Sequence, residues 1–576
     1  MRRAARLSAS GAATALVLTS LVAVGPTATA APTPDCAAPF PVSDVVSGAP
    51  VTGLTVSKGT TPQSFTGEVL GVLSDGIAPD LDMIVAELHS PAIDAAGGIW
   101  QGMSGSPVYA EDGRLIGAVA YGLAFGSSPV AGITPYEDMQ GYLGAAKAAP
   151  EVAVGTRLAT RIAAETDVTR TEAAQGLRQL PMPMGVGGID LTRARTAVKA
   201  AGGSELVTPD SYRIGRSSSA TAAGIDTVVA GGNVAAVLSH GDITLAGVGT
   251  ATSVCGDRVV AFGHPLNFTG RARLGLAAAD AVYVQEDPLG VPFKVANVGE
   301  VGGTVTDDRL AGIAGTFGAS PTPTPITSKV TYHGRSRTGT TQVLAPSALA
   351  DVTLLAGVAN HDRVVDGTIG GSETQAWTIT GTRSGTPFRL RYADRYRSAD
   401  DIGSTGAFDL PAVVATLSSV SNVRLTGVTN EVSVSDNARR YRVAKIQQRT
   451  GGRWVDVTGK TAKVRAGKTL VLRTQVVGSE GVTRSFFREE FTIPKRLKGK
   501  SGVVTVVGGN TFQDEFYDAT SFDGVQKLLK GNLRNDEARL SLVIGSGRTA
   551  FERTRTSDIT TRVVYGQKQL RVRVVS

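Results

Sequence analysis

Gly102-Met103-Ser104-Gly105-Ser106-Pro107 holds a serine between two glycines, and residues 108 to 119 continue Val-Tyr-Ala-Glu-Asp-Gly-Arg-Leu-Ile-Gly-Ala-Val. A nucleophilic serine needs a hydroxyl projecting from a sharp turn and backbone N–H groups beside it for a developing oxyanion. Glycine supplies backbone angles that a side chain forbids, so Gly102 and Gly105 permit such a turn. The N–H groups of Gly102 and Ser104 are then the candidate oxyanion hole. Pro107 directs the chain into a strand, and Asp112-Gly113 between apolar runs predicts a hairpin. Ser104 is therefore expected at the entrance to a β-hairpin. A bare G-x-S-G is common and on its own reads more readily as an ordinary turn.

The longer string from Gly97 to Val119 resembles the serine segment of the SpoIVB peptidase family, whose members look like relatives of chymotrypsin-type serine peptidases. That resemblance implies Ser104 as nucleophile. Of five histidines, His264 stands in Arg258-Val-Val-Ala-Phe-Gly-His264-Pro265, an apolar strand ending where a cleft can reach the imidazole. This too resembles the family, whose base follows a strand in a Gly-His segment. In the sporulation peptidases the histidine module comes first, whereas here Ser104 precedes His264 by 160 residues. The implied arrangement is a permuted one, and a triad is defined by geometry rather than chain order. A related set of secreted bacterial proteins with SpoIVB-type domains is similar in this serine-first order over most of residues 40–320.

The third member stays open. The family's aspartate would fall at or near His89. Asp308 follows His264 by 44 residues, a separation resembling the base-to-acid spacing of chymotrypsin-like enzymes, and Asp82 is its rival. Either also reads as a turn or capping residue, and a Ser-His dyad is the remaining alternative.

The sequence of 576 residues suits three to five domains. Aromatics are sparse at 5% and glycine is abundant at 70, a composition of many short strands and turns. The expected fold class is mainly β, and the resemblance implies a chymotrypsin-like double β-barrel with permuted module order, followed by an immunoglobulin-like sandwich. Residues 1–30 read as a signal peptide, with Arg2, Arg3 and Arg6 before an apolar run and Ala28-Thr29-Ala30 as the cleavage site. The chain is accordingly expected to be secreted or wall-associated, with no membrane span in its mature part. In that compartment Cys36 and Cys255 are expected to form a disulfide, since no Cys or His pair has zinc spacing.

The remaining divisions are a serine-bearing module at 31–147, a connector at 148–182, a histidine-bearing module at 183–318, a β-rich region at 319–420, an immunoglobulin-like domain at 421–510 and an α+β segment at 511–576. The proline repeat at 321–325 reads as an extended connector. Thr134-Pro135-Tyr136-Glu137 predicts a helix start running to about Lys147. Asp190 and Ser521 predict two further helix caps. The C-terminal half carries no motif of chemistry and suits adhesion, substrate presentation or shielding of the site.

The formal charge of +8 includes the three arginines of residues 1–30, which hold no acid, leaving +5. Lys495-Arg496-Leu497-Lys498-Gly499-Lys500 reads as a solvated loop rather than a contact for cell-wall polyanions or nucleic acid, and no partner is assigned to it. Gly185-Val186-Gly187-Gly188 lacks the full dinucleotide fingerprint and no P-loop occurs, so no cofactor, metal or nucleic-acid partner is expected. The function these observations predict is a secreted serine endopeptidase acting on a specific protein, or on itself. Its alternative is an inactive peptidase-like binding or adhesion protein of the cell envelope.

Overall fold

The computed structural model of the chain describes residues 37–123, 126–141, 151–152, 154–166, 168–175, 177–180, 184–216, 222–287, 291–509 and 519–576. The expected signal peptide and Cys36 lie outside them. Strands account for 50% and helices for 18% of the described residues.

Six antiparallel strands make the first unit: β1 (Pro50–Thr55), β2 (Gln63–Ala78), β3 (Leu81–His89), β4 (Pro107–Tyr109), β5 (Leu115–Leu123) and β6 (Val130–Pro135). They pair in the order β4-β1-β2-β3-β6-β5, and β4 pairs again with β5, which closes a barrel. Every residue of β5 and β6 is buried, as continuous apolar runs require. The β4–β5 hairpin turns at Gly113 (φ +82°), where the Arg114 N–H donates to Asp112 Oδ1.

Six more strands repeat the pattern: β7 (Asn233–Gly241), β8 (Thr244–Cys255), β9 (Arg258–Ala261), β10 (Gly270–Gln285), β11 (Phe293–Arg309) and β12 (Gly312–Phe317). Their order is β8-β9-β12-β11-β10-β7, closed by a β7–β8 pairing. The first barrel, read as β2-β3-β6-β5-β4-β1, has the same cyclic order. The two barrels thus share one strand topology, although their sequences show no repeat. Each barrel's connection from third to fourth strand carries one candidate catalytic residue, Ser104 between β3 and β4 and His264 between β9 and β10.

The sheet continues beyond the second barrel, because β7 also pairs with the strand Arg335–Val343. That strand's neighbours are Thr324–Tyr332, Val423–Ser435, Gly371–Arg383 and Thr386–Ser398 in turn. The helix Leu349–Val365 buries twelve of its residues. The strand Val423–Ser435 pairs with Thr324–Tyr332 and with Gly371–Arg383, so strands on both sides of the division expected at 420/421 belong to one sheet. The proline-rich stretch contributes only residues 318–323 as connector, because the strand begins at Thr324.

The last unit is two five-stranded sheets sharing one apolar core that includes Val443, Leu472, Phe491, Val504, Leu542 and Val572. The strand Ser501–Gly508 pairs with Ala538–Ile544 and Gln567–Val575, so the division expected at 510/511 also separates strands of one sheet. Parallel pairings join Thr461–Arg465 to Gln567–Val575 and Tyr441–Thr450 to Val564–Tyr565.

The caps at Asp190 and Ser521 form as expected. Asp190 Oδ1 accepts from the Arg193 N–H, and Ser521 Oγ accepts from the Gly524 N–H. Thr134 departs from its expected cap: it lies within β6, and its hydroxyl donates to the Gly263 carbonyl instead. Glu137 accepts from the Val42 N–H. The helix there spans Tyr136–Gly141, and the stretch expected to continue it lies outside the described residues. Among the described residues, no helix is long and apolar enough to cross a membrane.

Candidate active site

Ser104 sits on a short loop between the helix Pro91–Ala96 and β4. Gly102 and Gly105 adopt φ of +93° and +96°, the left-handed region that the Gly-x-Ser-Gly spacing called for. At Gly105 the need for glycine is absolute in space as well. An added Cβ would lie 1.9 Å from the Thr250 carbonyl oxygen and 2.5 Å from the Phe262 nitrogen. Gly105→Ala is expected to cost at least about 3 kcal/mol in urea unfolding, and loss of soluble protein would be the extreme of the same result.

The second barrel holds this loop from across the barrel junction. The Thr250 N–H donates to the Ser104 carbonyl at 2.9 Å, and Thr250 Oγ1 donates to the Gly102 carbonyl at 3.0 Å. Thr252 Oγ1 donates to the Gly105 carbonyl at 2.8 Å. Thr250 also accepts, through its own carbonyl, from the Phe262 N–H at 3.3 Å. One β8 residue thus ties the serine loop to the segment that leads into His264.

That segment is strained. Phe262 is fully buried at φ +74°, and Gly263 follows at φ +70°. A bulky residue in this region costs about 1–3 kcal/mol. The turn is held by the Thr134 hydroxyl on the Gly263 carbonyl at 2.6 Å. It delivers His264 Nε2 to 2.9 Å from Ser104 Oγ, while Nδ1 lies 2.8 Å from the Pro265 carbonyl. A carbonyl only accepts, so Nδ1 carries the proton and Nε2 presents its lone pair to the serine. This is the tautomer a general base requires.

Asp308 stands at the end of β11 and is fully buried, but its carboxylate is engaged by backbone. Oδ1 accepts from the Leu266 N–H at 2.8 Å, and Oδ2 accepts from the N–H groups of Asn267 and Thr269. The acid role expected of Asp308 is not the one these contacts describe; they make it the anchor of the loop that follows His264. Asp308→Ala would strand three backbone donors and is expected to lower unfolding stability by about 3 kcal/mol, measured by urea titration. The rival, Asp82, accepts from the Asp75 N–H on the exposed rim of the first barrel. His89 is exposed beside Glu87 and Asp94.

Lys294 is the residue that the sequence reading missed. It is fully buried on β11, and its Nζ donates to the Gly102 carbonyl at 2.9 Å and to Asn233 Oδ1 at 2.8 Å. Together with Thr250 it fixes the peptide following Gly102. The N–H groups of Gly102 and Ser104 have no protein acceptor among the described residues, which leaves both for an oxyanion. The signal was strand parity: Lys294 falls in step with Ala296 and Val298, both on the buried face of β11. A lysine at an inward position of a strand is the anomaly to look for.

Burial pushes His264 down to about 4 and Lys294 down to about 7. His264 is therefore neutral, and competent as a base, above about pH 4. The acid limb of Ser104 reactivity is expected near pH 4 rather than near 6.5, measured as the pH dependence of labelling by a fluorophosphonate. The same depression affects stability. The unfolded chain binds a proton at His264 between pH 6.5 and 4 and the folded chain does not. The contribution is thus complete above 6.5 and falls by about 3 kcal/mol as pH drops through that window.

Beside the loop, a cleft of about 710 Å³ is lined by Gln101, Tyr212, Tyr283, Val291 and Phe293 among others. Gln101, the residue before Gly102, forms its inner edge. Its N–H donates to the Pro292 carbonyl, and its carbonyl accepts from the Lys294 N–H. The wall of the cleft and the serine loop are thus one hydrogen-bonded piece.

Residues 27–136 match the SpoIVB peptidase S55 family. The SpoIVB-type segment is about one fifth of the chain. It includes Ser104 and the strands of the first barrel, and it ends before His264 and Lys294. No curated protein and no solved structure was found to match.

Proposed function

We propose that this chain is a SpoIVB-type serine peptidase working through an acyl-enzyme on Ser104. The observation that carries the reading is the 2.9 Å contact between Ser104 Oγ and the unprotonated Nε2 of His264. In this reading His264 takes the hydroxyl proton as Oγ adds to a substrate carbonyl. The N–H groups of Gly102 and Ser104 hold the oxyanion, and His264 passes its proton to the leaving amine. Water, deprotonated by the same imidazole, then releases the ester. An extended polypeptide would lie in the cleft beside Gln101, with an apolar or aromatic side chain against Tyr212 and Phe293.

The reading includes export of the chain after removal of residues 1–30 and a Cys36–Cys255 disulfide. It also includes kinship with the chymotrypsin fold in permuted module order, and an immunoglobulin-like sandwich at the C-terminus that presents substrate or shields the site. The substrate would be one protein or the chain itself.

One observation favours the second reading, a peptidase-like binding protein. Ser104 and His264 are both 0% exposed, so a carbonyl reaches Oγ only after the barrel junction opens. Incubation of the full chain with a peptide library decides between the two. New N-termini that are absent with Ser104→Ala support the peptidase, and identical product lists support the binding protein.

A further inference from the structure

Three segments of the C-terminal sandwich, 460–468, 495–505 and 567–576, together contain eleven lysines and arginines and no aspartate or glutamate. They leave the remainder of the chain at a formal −3 against a total of +8. The fold makes them adjacent. The strand Thr461–Arg465 runs parallel to Gln567–Val575 with Lys463 beside Arg573, and Ser501 pairs with Arg573 from the other side. Lys498 and Lys500 lead into that third strand, and the Lys500 carbonyl accepts from the Val574 N–H.

Alternation along the strands puts four of these charges on one face. Ala462, Val464, Val572 and Val574 point into the core, while Lys463, Arg465, Arg571 and Arg573 are exposed. Neighbouring strands lie about 4.8 Å apart and same-face residues about 6.6 Å apart along a strand. Among the described residues, none of these four side chains makes an ion pair with a carboxylate. The nearest acid along the sheet's outer face, Glu552, pairs with Val543 at the opposite edge. Like charges side by side on a sheet repel, and an anion laid across them removes that cost.

We infer that this face binds a linear phosphodiester polymer through its repeating charge. The chemistry selects against a nucleic acid read through its bases. The three segments contain no Phe, Tyr or Trp to stack a base. The surface is one face of a five-stranded sheet, whereas a major groove admits a helix or a two-stranded ribbon. A lipid surface fits less well, because Val503 is the one large apolar side chain exposed among these strands. The inference is independent of the peptidase reading, since it needs neither Ser104 nor His264.

The test is binding of the full chain to poly(glycerol phosphate), followed across a salt series. Single-stranded DNA and phosphatidylglycerol vesicles serve as competitors. Wild type is expected to bind the polymer in preference to both, with affinity falling steeply as salt rises. The quadruple variant Lys463→Gln, Arg465→Gln, Arg571→Gln, Arg573→Gln is expected to lose about 100-fold in affinity at low salt. It should flatten the log–log salt slope by about 3, roughly 0.7–0.9 for each phosphate contact removed. Replacing the three arginines by lysine keeps the charge and should keep the binding, which separates charge from misfolding. Equal affinity of wild type and the glutamine variant, tighter binding to DNA or vesicles, or no binding by wild type would overturn the inference.

Discussion

Replacing His264 by alanine, with Ser104 untouched, is expected to slow reaction of the serine with a fluorophosphonate by about 10⁶-fold, the order seen when a hydrolase triad loses its base. Without the imidazole, Ser104 Oγ keeps its proton in an interior where a bare alkoxide has no counter-charge. The neighbours do not substitute. The four other histidines stand elsewhere in the fold, and Lys294 points at the Gly102 carbonyl rather than at Oγ. Ser104→Ala should have the same outcome by removing the nucleophile, and the double variant should be no worse than either single one. The measurement is the second-order labelling rate of each folded variant.

Lys294→Met is expected to lower that labelling rate by about 10²-fold or more while leaving Ser104 and His264 in place. The argument runs through the Gly102 carbonyl, which two donors from different strands of the second barrel hold, Thr250 from β8 and Lys294 from β11. With only Thr250 left, the peptide after Gly102 is free to rotate, and the oxyanion donors lose their fixed position. Loss of one such donor costs about 10²–10³-fold in other hydrolases. A purely structural role predicts something different, lower stability with an unchanged rate per folded molecule.

A second readout isolates the lysine itself. Its folded pKa is pushed down from 10.5 to about 7, so between pH 7 and 10.5 the unfolded chain holds a proton that the folded chain does not. Stability attributable to Lys294 therefore rises with pH through that window. The urea midpoint of wild type should gain between pH 7 and pH 9.5 relative to Lys294→Met.

The geometry of the candidate site was legible where it depends on local backbone. Gly102 and Gly105 permit the left-handed angles that they adopt on either side of Ser104, and His264 announces itself by following an apolar strand with Gly-His-Pro. What depends on distant pairing was not legible. Each barrel depends on pairings between strands far apart in sequence, β1 with β4 in the first and β9 with β12 and β7 with β10 in the second, and period-two alternation says nothing about which strand meets which. For the same reason, the divisions at 420 and 510 cut through sheets whose strands pair across them. Asp308 was located by spacing on the right strand, yet spacing cannot say whether a carboxylate takes an imidazole or three backbone N–H groups. Thr134 reads locally as a helix cap, but its hydroxyl is drawn to the Gly263 carbonyl, 129 residues away and next to the strained Phe262.

The central claim is that Ser104 is an activated nucleophile. The most direct test is to treat the folded full-length protein with a fluorophosphonate at pH 7 and map the adduct by peptide mass spectrometry. The account predicts one phosphonylated residue, Ser104, formed in wild type and absent in His264→Ala. An unmodified Ser104 in folded protein, or an adduct at Ser104 that forms equally fast without His264, would contradict it.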